Sequence, residues 1–424
     1  MDYKGMSYLK KQLISKQNRV RMRYKYYEMK NAIKDFKIAI PNEFKYVSET
    51  LGWCAKAVDS LADRISFKEF EEDNFDMNGI FNMNNKDILT DSAFLGALIA
   101  SCSFVYISQD EEGFPRLQVI DAYDATGVID PITNMMTEGY AVLKRDDNKK
   151  VLIEAYFTCE ETIVYDRIKN EEIHAKNPAK YCLLVPIINK PDAKRQFGHS
   201  RISRACMDIQ QGALRTLRRS EIAAEFYSYP QKYILGTDPD AEEMDKIRSS
   251  ISTMLQISKS EDGGNSPTVG QFQQQSMAPH LDQLKLFASL FAGESGLTLD
   301  DLGFVTENPS SAEAIKAAHE NLRLVARKAQ KNFATGLINV GYLAASVRDN
   351  YPYKRNMIYQ TKVKYEPLFE PDMSTLSLIG DGAVKLNQAV PGYFNKDNLE
   401  DLTGVSASKI VYNPTISSSD KSEA

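Results

Sequence analysis

Pro279-His-Leu-Asp-Gln-Leu-Lys-Leu-Phe-Ala-Ser-Leu-Phe-Ala-Gly293, the loop Glu294 to Asn308 and the proline-free run from Ser310 to Val347 decide the fold of this chain. The first piece reads as a helix with proline in its first turn and glycine at its end. Asn308-Pro309-Ser310-Ser311-Ala312-Glu313 then carries two helix-start signals, proline after a capping Asn and a Ser-x-x-Glu box. A helix from there to Val347 would be about 55 Å long at 1.5 Å per residue, more than a typical globular domain needs.

Ala314, Ala318, Leu322, Val325, Ala329, Phe333, Gly336, Val340 and Ala344 recur every three or four residues and define a packing face. Lys316, Glu320, Arg323, Arg327 and Lys331 fall nearly opposite, on a wet and mostly basic face. Small residues on the packing side admit a close neighbour, and Gly336 and Gly341 mark an expected bend.

At 424 residues, 43% hydrophobic and 26% charged, the chain has room for two or three modules of ordinary globular composition. Its longest apolar run, Ala93 to Ile107, is too short for a bilayer, and no signal-peptide pattern opens the chain, so a cytoplasmic protein with no membrane partner is expected. Five scattered cysteines, Cys54, Cys102, Cys159, Cys182 and Cys206, form no Cys-x-x-Cys pair and are expected as buried thiols. Charge is uneven: residues 1–37 hold 11 Lys+Arg against 3 Asp+Glu, while the rest of the chain is acidic. Leu9, Leu13, Val20, Tyr24 and Tyr27 share a helical face in this basic segment, which reads either as an arm on nucleic acid or an acidic partner, or as a solvated surface helix.

An amphipathic helix is expected at Asn42 to Arg64 and another at Lys86 to Ser101. From Phe104 to Pro186 the period changes to short β-type runs, giving an antiparallel sheet of about six strands. A second long helix, near Ser200 to Tyr229, places Ile202, Cys206, Ile209, Ala213, Leu217 and Ala224 inward and Arg201, Arg204, Arg215 and Arg219 outward. Pro230 to Met277 reads as a small α/β insert, with strands at Gln231 to Leu235 and Thr268 to Phe272 around a helix from Pro239 to Ile257. Met357 to Tyr365 alternates like a strand, short helices follow to residue 412, and a polar tail ends the chain.

Catalytic signals are sparse. No Gly-Lys pair occurs, so there is no Walker phosphate loop, and Gly293-Glu-Ser-Gly296 is one residue short of a nucleophile elbow. His174, His199, His280 and His319 are isolated from one another and from any cysteine at metal-ligand spacing. Asp121, Asp124 and Asp130 read first as turn residues; a metal-dependent DNA-processing enzyme built on them is the alternative.

The order of modules from about Asn42 to Thr403 resembles that of the portal proteins, the head-to-tail connectors of tailed bacteriophages. Its most specific pieces are Phe197-Gly-His-Ser-Arg-Ile-Ser203 and Gly296-Leu-Thr-Leu-Asp-Asp-Leu-Gly-Phe-Val-Thr-Glu-Asn-Pro-Ser-Ser-Ala-Glu-Ala-Ile-Lys316. The resemblance implies a ring-forming α+β portal-type fold: basic arm and wing at 1–197, first stem helix at 198–229, clip at 230–278, second stem helix at 279–296 and tunnel loop at 297–309. A long kinked helix with a wing-closing strand at 310–370 and a helical crown with a disordered tail at 371–424 would complete it. The chain is short for that family and its crown small.

It further implies a non-enzymatic dodecamer at one capsid vertex of the virion, formed in the host cytoplasm, which passes double-stranded DNA during packaging and ejection. The partners it implies are the terminase large subunit, the major capsid protein and a head-tail adaptor; no cofactor, metal or catalytic residue is implied. Passing DNA requires a surface that does not grip it, because each neutralised phosphate adds affinity through counterion release. Asp300, Asp301 and Glu307, with apolar Leu299, Leu302 and Phe304, fit such a loop, expected at the narrowest part of the channel.

Overall fold

The computed structural model describes residues 3–34, 46, 48–228, 232–235, 268–271, 276–304, 317–358, 360–368, 373–403 and 405. Helix α1 (Met6–Tyr27) leads into α2 (Trp53–Ala62), strand β1 (Phe67–Glu71), α3 (Met77–Met83) and α4 (Lys86–Ala100). The helix expected from Asn42 starts only at Trp53, because Gly52 stands at its N-cap and residues 48–50 are irregular. In α3 the Asp73 carboxylate accepts the Met77 and Asn78 N–H groups at 2.9 and 2.7 Å, satisfying orphan donors of the first turn.

Eight strands follow: β2 (Cys102–Gln109), β3 (Pro115–Asp121), β4 (Ala125–Ile129), β5 (Met136–Arg145), β6 (Val151–Phe157), β7 (Glu161–Asp166), β8 (Glu171–Lys176) and β9 (Leu184–Ile188). The one sheet read from the sequence is two. A three-stranded sheet, β3-β2-β9, lies in the core, and a five-stranded meander runs β4-β5-β6-β7-β8, all antiparallel. The division falls at Asp121 to Asp124, where the chain turns from β3 into β4.

Helix α5 (Arg204–Ser228) is followed by the antiparallel pair β10 (Lys232–Leu235) and β11 (Thr268–Gln271), then by α6 (Ala278–Ser295). The helix expected between those strands lies outside the described residues. Helix α6 does not stop at Gly293 but runs on to Ser295, and Gly296 ends it in the left-handed region at φ 70°.

Helix α7 (Glu320–Arg348) covers the described part of the expected long helix, about 43 Å by its 29 residues. It is unbroken through Gly336 and Gly341, and the interruption in this stretch comes instead at His319. The two glycines serve close packing. A Cβ at Gly336 would meet Ile187 at 2.6 Å and one at Gly341 would meet Met77 at 2.5 Å. Up to Phe333 the helix has one buried face, with Leu322, Ala326, Ala329 and Phe333 inward and Val325 exposed; from Asn339 to Val347 it is buried all round. Phe333 stacks on Phe94 at 4.7 Å between centroids.

Strand β12 (Lys362–Tyr365) pairs with β1, so a segment near the chain's end closes on one near its beginning. It is shorter than the alternation from Met357 suggests, since Arg355–Ile358 forms a 3-10 turn. Helices α8 (Met373–Ala389) and α9 (Lys396–Thr403) follow. Among the described residues no helix is long and apolar enough to cross a membrane.

Candidate functional site

Helices α5 and α6 pack antiparallel, since Arg201, Gly212 and Thr216 meet Ser295, Phe287 and Gln283 in reverse order. Gly212 permits this approach: a Cβ there would lie 2.6 Å from the Phe287 ring. Buried Gln210 and Gln211 tie α5 to the rest of the module. Gln210 donates to the Leu51 carbonyl at 2.7 Å and accepts the Cys54 N–H at 2.9 Å, and Gln211 donates to the Tyr26 hydroxyl at 3.0 Å. On α6, Ala288, Phe291 and Ala292 face inward, with Phe291 5.6 Å from Trp53. On the opposite side Leu286 and Leu290, one turn apart, are 57% and 51% exposed. These two leucines escaped the sequence reading, though their spacing opposite Ala288 and Phe291 is a helical signal.

The loop after α6 is more built than a simple connector. Thr298 donates through its N–H and its hydroxyl to Asp301 Oδ2, both at 2.9 Å, and Asp300 to Leu302 form one 3-10 turn. Leu302 is buried, and Leu299 and Phe304 pack half-buried against the core. Of the loop residues singled out from the sequence, Asp300 alone is exposed among those described; Glu307 lies outside them. The three apolar side chains are thus turned into the subunit, because a short turn with a side-chain cap has no other way to shield them.

The basic faces divide. Arg201 is no surface cation: its guanidinium donates to the Ala57 carbonyl at 3.2 Å and to the Ser295 carbonyl, and burial pushes its pKa down. It ties α2 to the C-terminal end of α6. Arg204 is exposed, beside Asp208 at 3.8 Å. Arg215 donates to the Lys34 carbonyl at 3.3 Å, and Arg219 is half-buried with interactions of its own. On α7, Arg323 grips Glu320 at 2.6 and 2.7 Å, while Arg327 and Lys331 stand exposed; Lys316 lies outside the described residues.

The basic N-terminal helix is docked rather than free. Leu9 and Leu13 pack against Tyr140 and Val142 of β5. Lys10 pairs with Glu154 at 2.9 Å, and the Tyr24 hydroxyl donates to Asp121. Glu154 is buried and accepts also from Tyr140 at 2.5 Å and from Arg167 at 2.5 and 3.1 Å. Burial alone would raise its pKa, but these hydrogen bonds outweigh it and hold the group below the usual carboxylate range.

Asp121, Asp124 and Asp130 do not converge. Asp121 faces Tyr24 and Tyr123, with burial raising its pKa; Asp124 takes Arg145 at 2.6 and 2.8 Å; Asp130 closes a turn on Thr133 at 2.6 Å. Among the described residues no group of three His, Cys, Asp or Glu is placed to hold a metal. Of the cysteines only Cys159 is not buried, and burial pushes the Cys102 thiol up to about 12.

The sequence model of the family described as "Phage portal protein, SPP1 Gp6-like" matches residues 7–376. The chain belongs to the phage portal proteins. Its match to the portal protein of Mycobacterium phage L5 is 24% identical over 330 residues, covering 73% of this chain and 67% of that protein. The portal protein of Mycobacterium phage D29 is 23% identical over the same shares. Among solved structures, a chain from the virion of a native gene transfer agent particle matches 84% of this portal-family chain and 90% of its own length. That match has a TM-score of 0.46 at 12% identity. A chain from the neck of such a particle with C12 symmetry matches the same shares at TM-score 0.44 and 13% identity.

Proposed function

We propose that the chain assembles head to tail into a closed, twelve-membered ring at one capsid vertex of a phage virion, after forming in the host cytoplasm. Double-stranded DNA passes through the ring during packaging and ejection, with no catalytic residue, metal or cofactor. In this reading residues 1–197 are arm and wing, α5 and α6 the stem helices, 230–278 the clip that docks the terminase large subunit, and 297–309 the tunnel loop. Residues 310–370 are the long helix and wing-closing strand, and 371–424 the crown and tail. The major capsid protein and a head-tail adaptor are its other partners.

Beyond family membership, one observation carries the assembly: Leu286 and Leu290 turn an apolar face outward from α6, opposite the face that packs inside the subunit. Repetition of one head-to-tail contact covers such a face in every copy and closes a ring without self-complementarity. Asp300, exposed on the built turn after α6, is the loop carboxylate that faces the DNA.

Light scattering after size exclusion tests the assembly: twelve copies of 47.8 kDa give about 570 kDa. Leu286→Lys with Leu290→Lys is expected to leave a folded subunit of unit mass. A wild-type monomer at high concentration, or a ring untouched by the double substitution, refutes the reading.

A further inference from the structure

Between α1 and the loop at residues 194–198 lies a cavity of about 310 Å³, into which Lys16, Arg19 and Arg23 from the helix and Lys194 and Arg195 from the loop converge. No Asp or Glu lines it. Positions 16, 19 and 23 are three and four residues apart, so they form one stripe of the helix.

The contrast with the rest of α1 is informative. Lys10, a turn and a half earlier, has Glu154 as counter-charge at 2.9 Å. Lys16 instead rests 4.3 Å from the centroid of the Phe197 ring and 3.3 Å from Thr126 Oγ1, and Arg23 donates to the Ala100 carbonyl at 2.7 Å. All of these partners are neutral. The carboxylates nearest in the fold are committed elsewhere: Asp192 holds His199 Nε2 at 2.6 Å, and Asp121 accepts from Tyr24 and the Tyr123 N–H. Burial lowers the pKa of Lys16 and Arg23, the latter to about 10, and Arg19 lowers both further, as like charges brought together must. Cations held in one cleft without a counter-ion repel one another unless something multiply anionic enters.

We propose that this cleft is a binding site for phosphate oxyanions. Three guanidinium forks and two ammonium groups around a space of this size suit a group with several charged oxygens, where a single carboxylate would leave most of the positive charge uncompensated. The shared chemistry admits two sources, a free pyrophosphate-like anion or the phosphodiester backbone of nucleic acid. The site stands apart from the channel reading, since it needs neither a ring nor a particular partner. It was invisible in the sequence because Arg19 and Arg195 lie far apart in the chain.

The test is isothermal titration of the full chain, at low salt, with inorganic pyrophosphate and separately with a short DNA duplex. It is repeated on Arg19→Ser with Arg195→Ser, and on Lys150→Ser with Lys169→Ser, two exposed cations outside the cleft. Arg19 and Arg195 are exposed, so their loss leaves the core intact. Binding of either ligand by the wild type and by the control pair, weakened at least about tenfold in the cleft pair, supports the site. If the duplex is the ligand, the slope of log K against log salt becomes shallower by about 1.8 in the cleft pair. Pyrophosphate binding alone assigns the free anion, and duplex binding alone the backbone. The proposal is overturned if neither ligand binds, if the cleft pair binds as the wild type does, or if a poly-glutamate peptide of equal charge displaces the ligand as well as pyrophosphate does.

Discussion

Replacing Gly336 by Ala tests whether the long helix is held by contact or merely lies nearby. The added methyl would fall 2.6 Å from Ile187 Cδ1, 3.1 Å from the Pro186 carbonyl oxygen and 3.4 Å from Ile187 Cα. Ile187 is fully buried and belongs to the central sheet, so neither its side chain nor the strand has room to retreat, and α7 must lift. Overpacking of this kind costs about 1–3 kcal/mol, while Gly to Ala in a helix interior returns about 1 kcal/mol. Gly293→Ala in α6 supplies the reference, because a Cβ there meets nothing within 4 Å and only the helix gain remains. The propensity contribution cancels between the two variants, and their stabilities should differ by about 1–3 kcal/mol, with Gly336→Ala the weaker. Urea unfolding followed by circular dichroism at low protein concentration reads this difference directly. If Gly336→Ala is as stable as Gly293→Ala, the close approach of α7 to β9 is wrong.

Glu154→Gln should flatten the acid side of the stability profile. The folded pKa of Glu154 lies below its ordinary 4.5, so its contribution is present above that value and is lost as pH falls through the folded one; urea midpoints from pH 7 to pH 3 report it. Arg201→Ala should cost about 1–3 kcal/mol through loss of its hydrogen bonds to the Ala57 and Ser295 carbonyls, whereas Arg204→Ala should stay within about 0.5 kcal/mol, a contrast measurable by the same unfolding. Asp300→Lys is expected to raise duplex affinity and steepen its salt dependence in a filter-binding titration, with assembly unchanged. Asp301→Lys removes the Thr298 cap and should instead lower the thermal midpoint.

The helices were legible where periodicity and punctuation agree, as at Lys86 to Ala100 and at the start of α6 with its proline. Strands with an apolar alternation were legible too. Strand β8 was not, because all six of its residues are exposed, and a charged outer strand carries no burial pattern to read. Strand β1 was missed because its partner β12 is nearly 300 residues away and its five residues lie next to a helix. Arg201 reads as a wet cation on a helix expected to begin near Ser200, but α5 begins only at Arg204, and helical phase cannot foresee that a carbonyl of α2 and the carbonyl end of α6 converge on the residue before it. Leu302 and Phe304 read as loop surface for the same reason: a sequence shows that a loop is apolar, and only the fold shows which way it leans.

The change in surroundings along α7 has a mechanical corollary. Its last turns, from Asn339 to Val347, are enclosed by protein on every side, whereas its first four turns touch the subunit along one face only. A rod so seated is anchored at one end and can tilt only at the other, with the contact between Gly336 and Ile187 as fulcrum. About 24 Å of helix lies between Glu320 and that contact. A push on the helix end at His319 would therefore arrive at the central sheet as torque rather than as translation, and the glycine that lets the two elements touch is also the point about which they would turn.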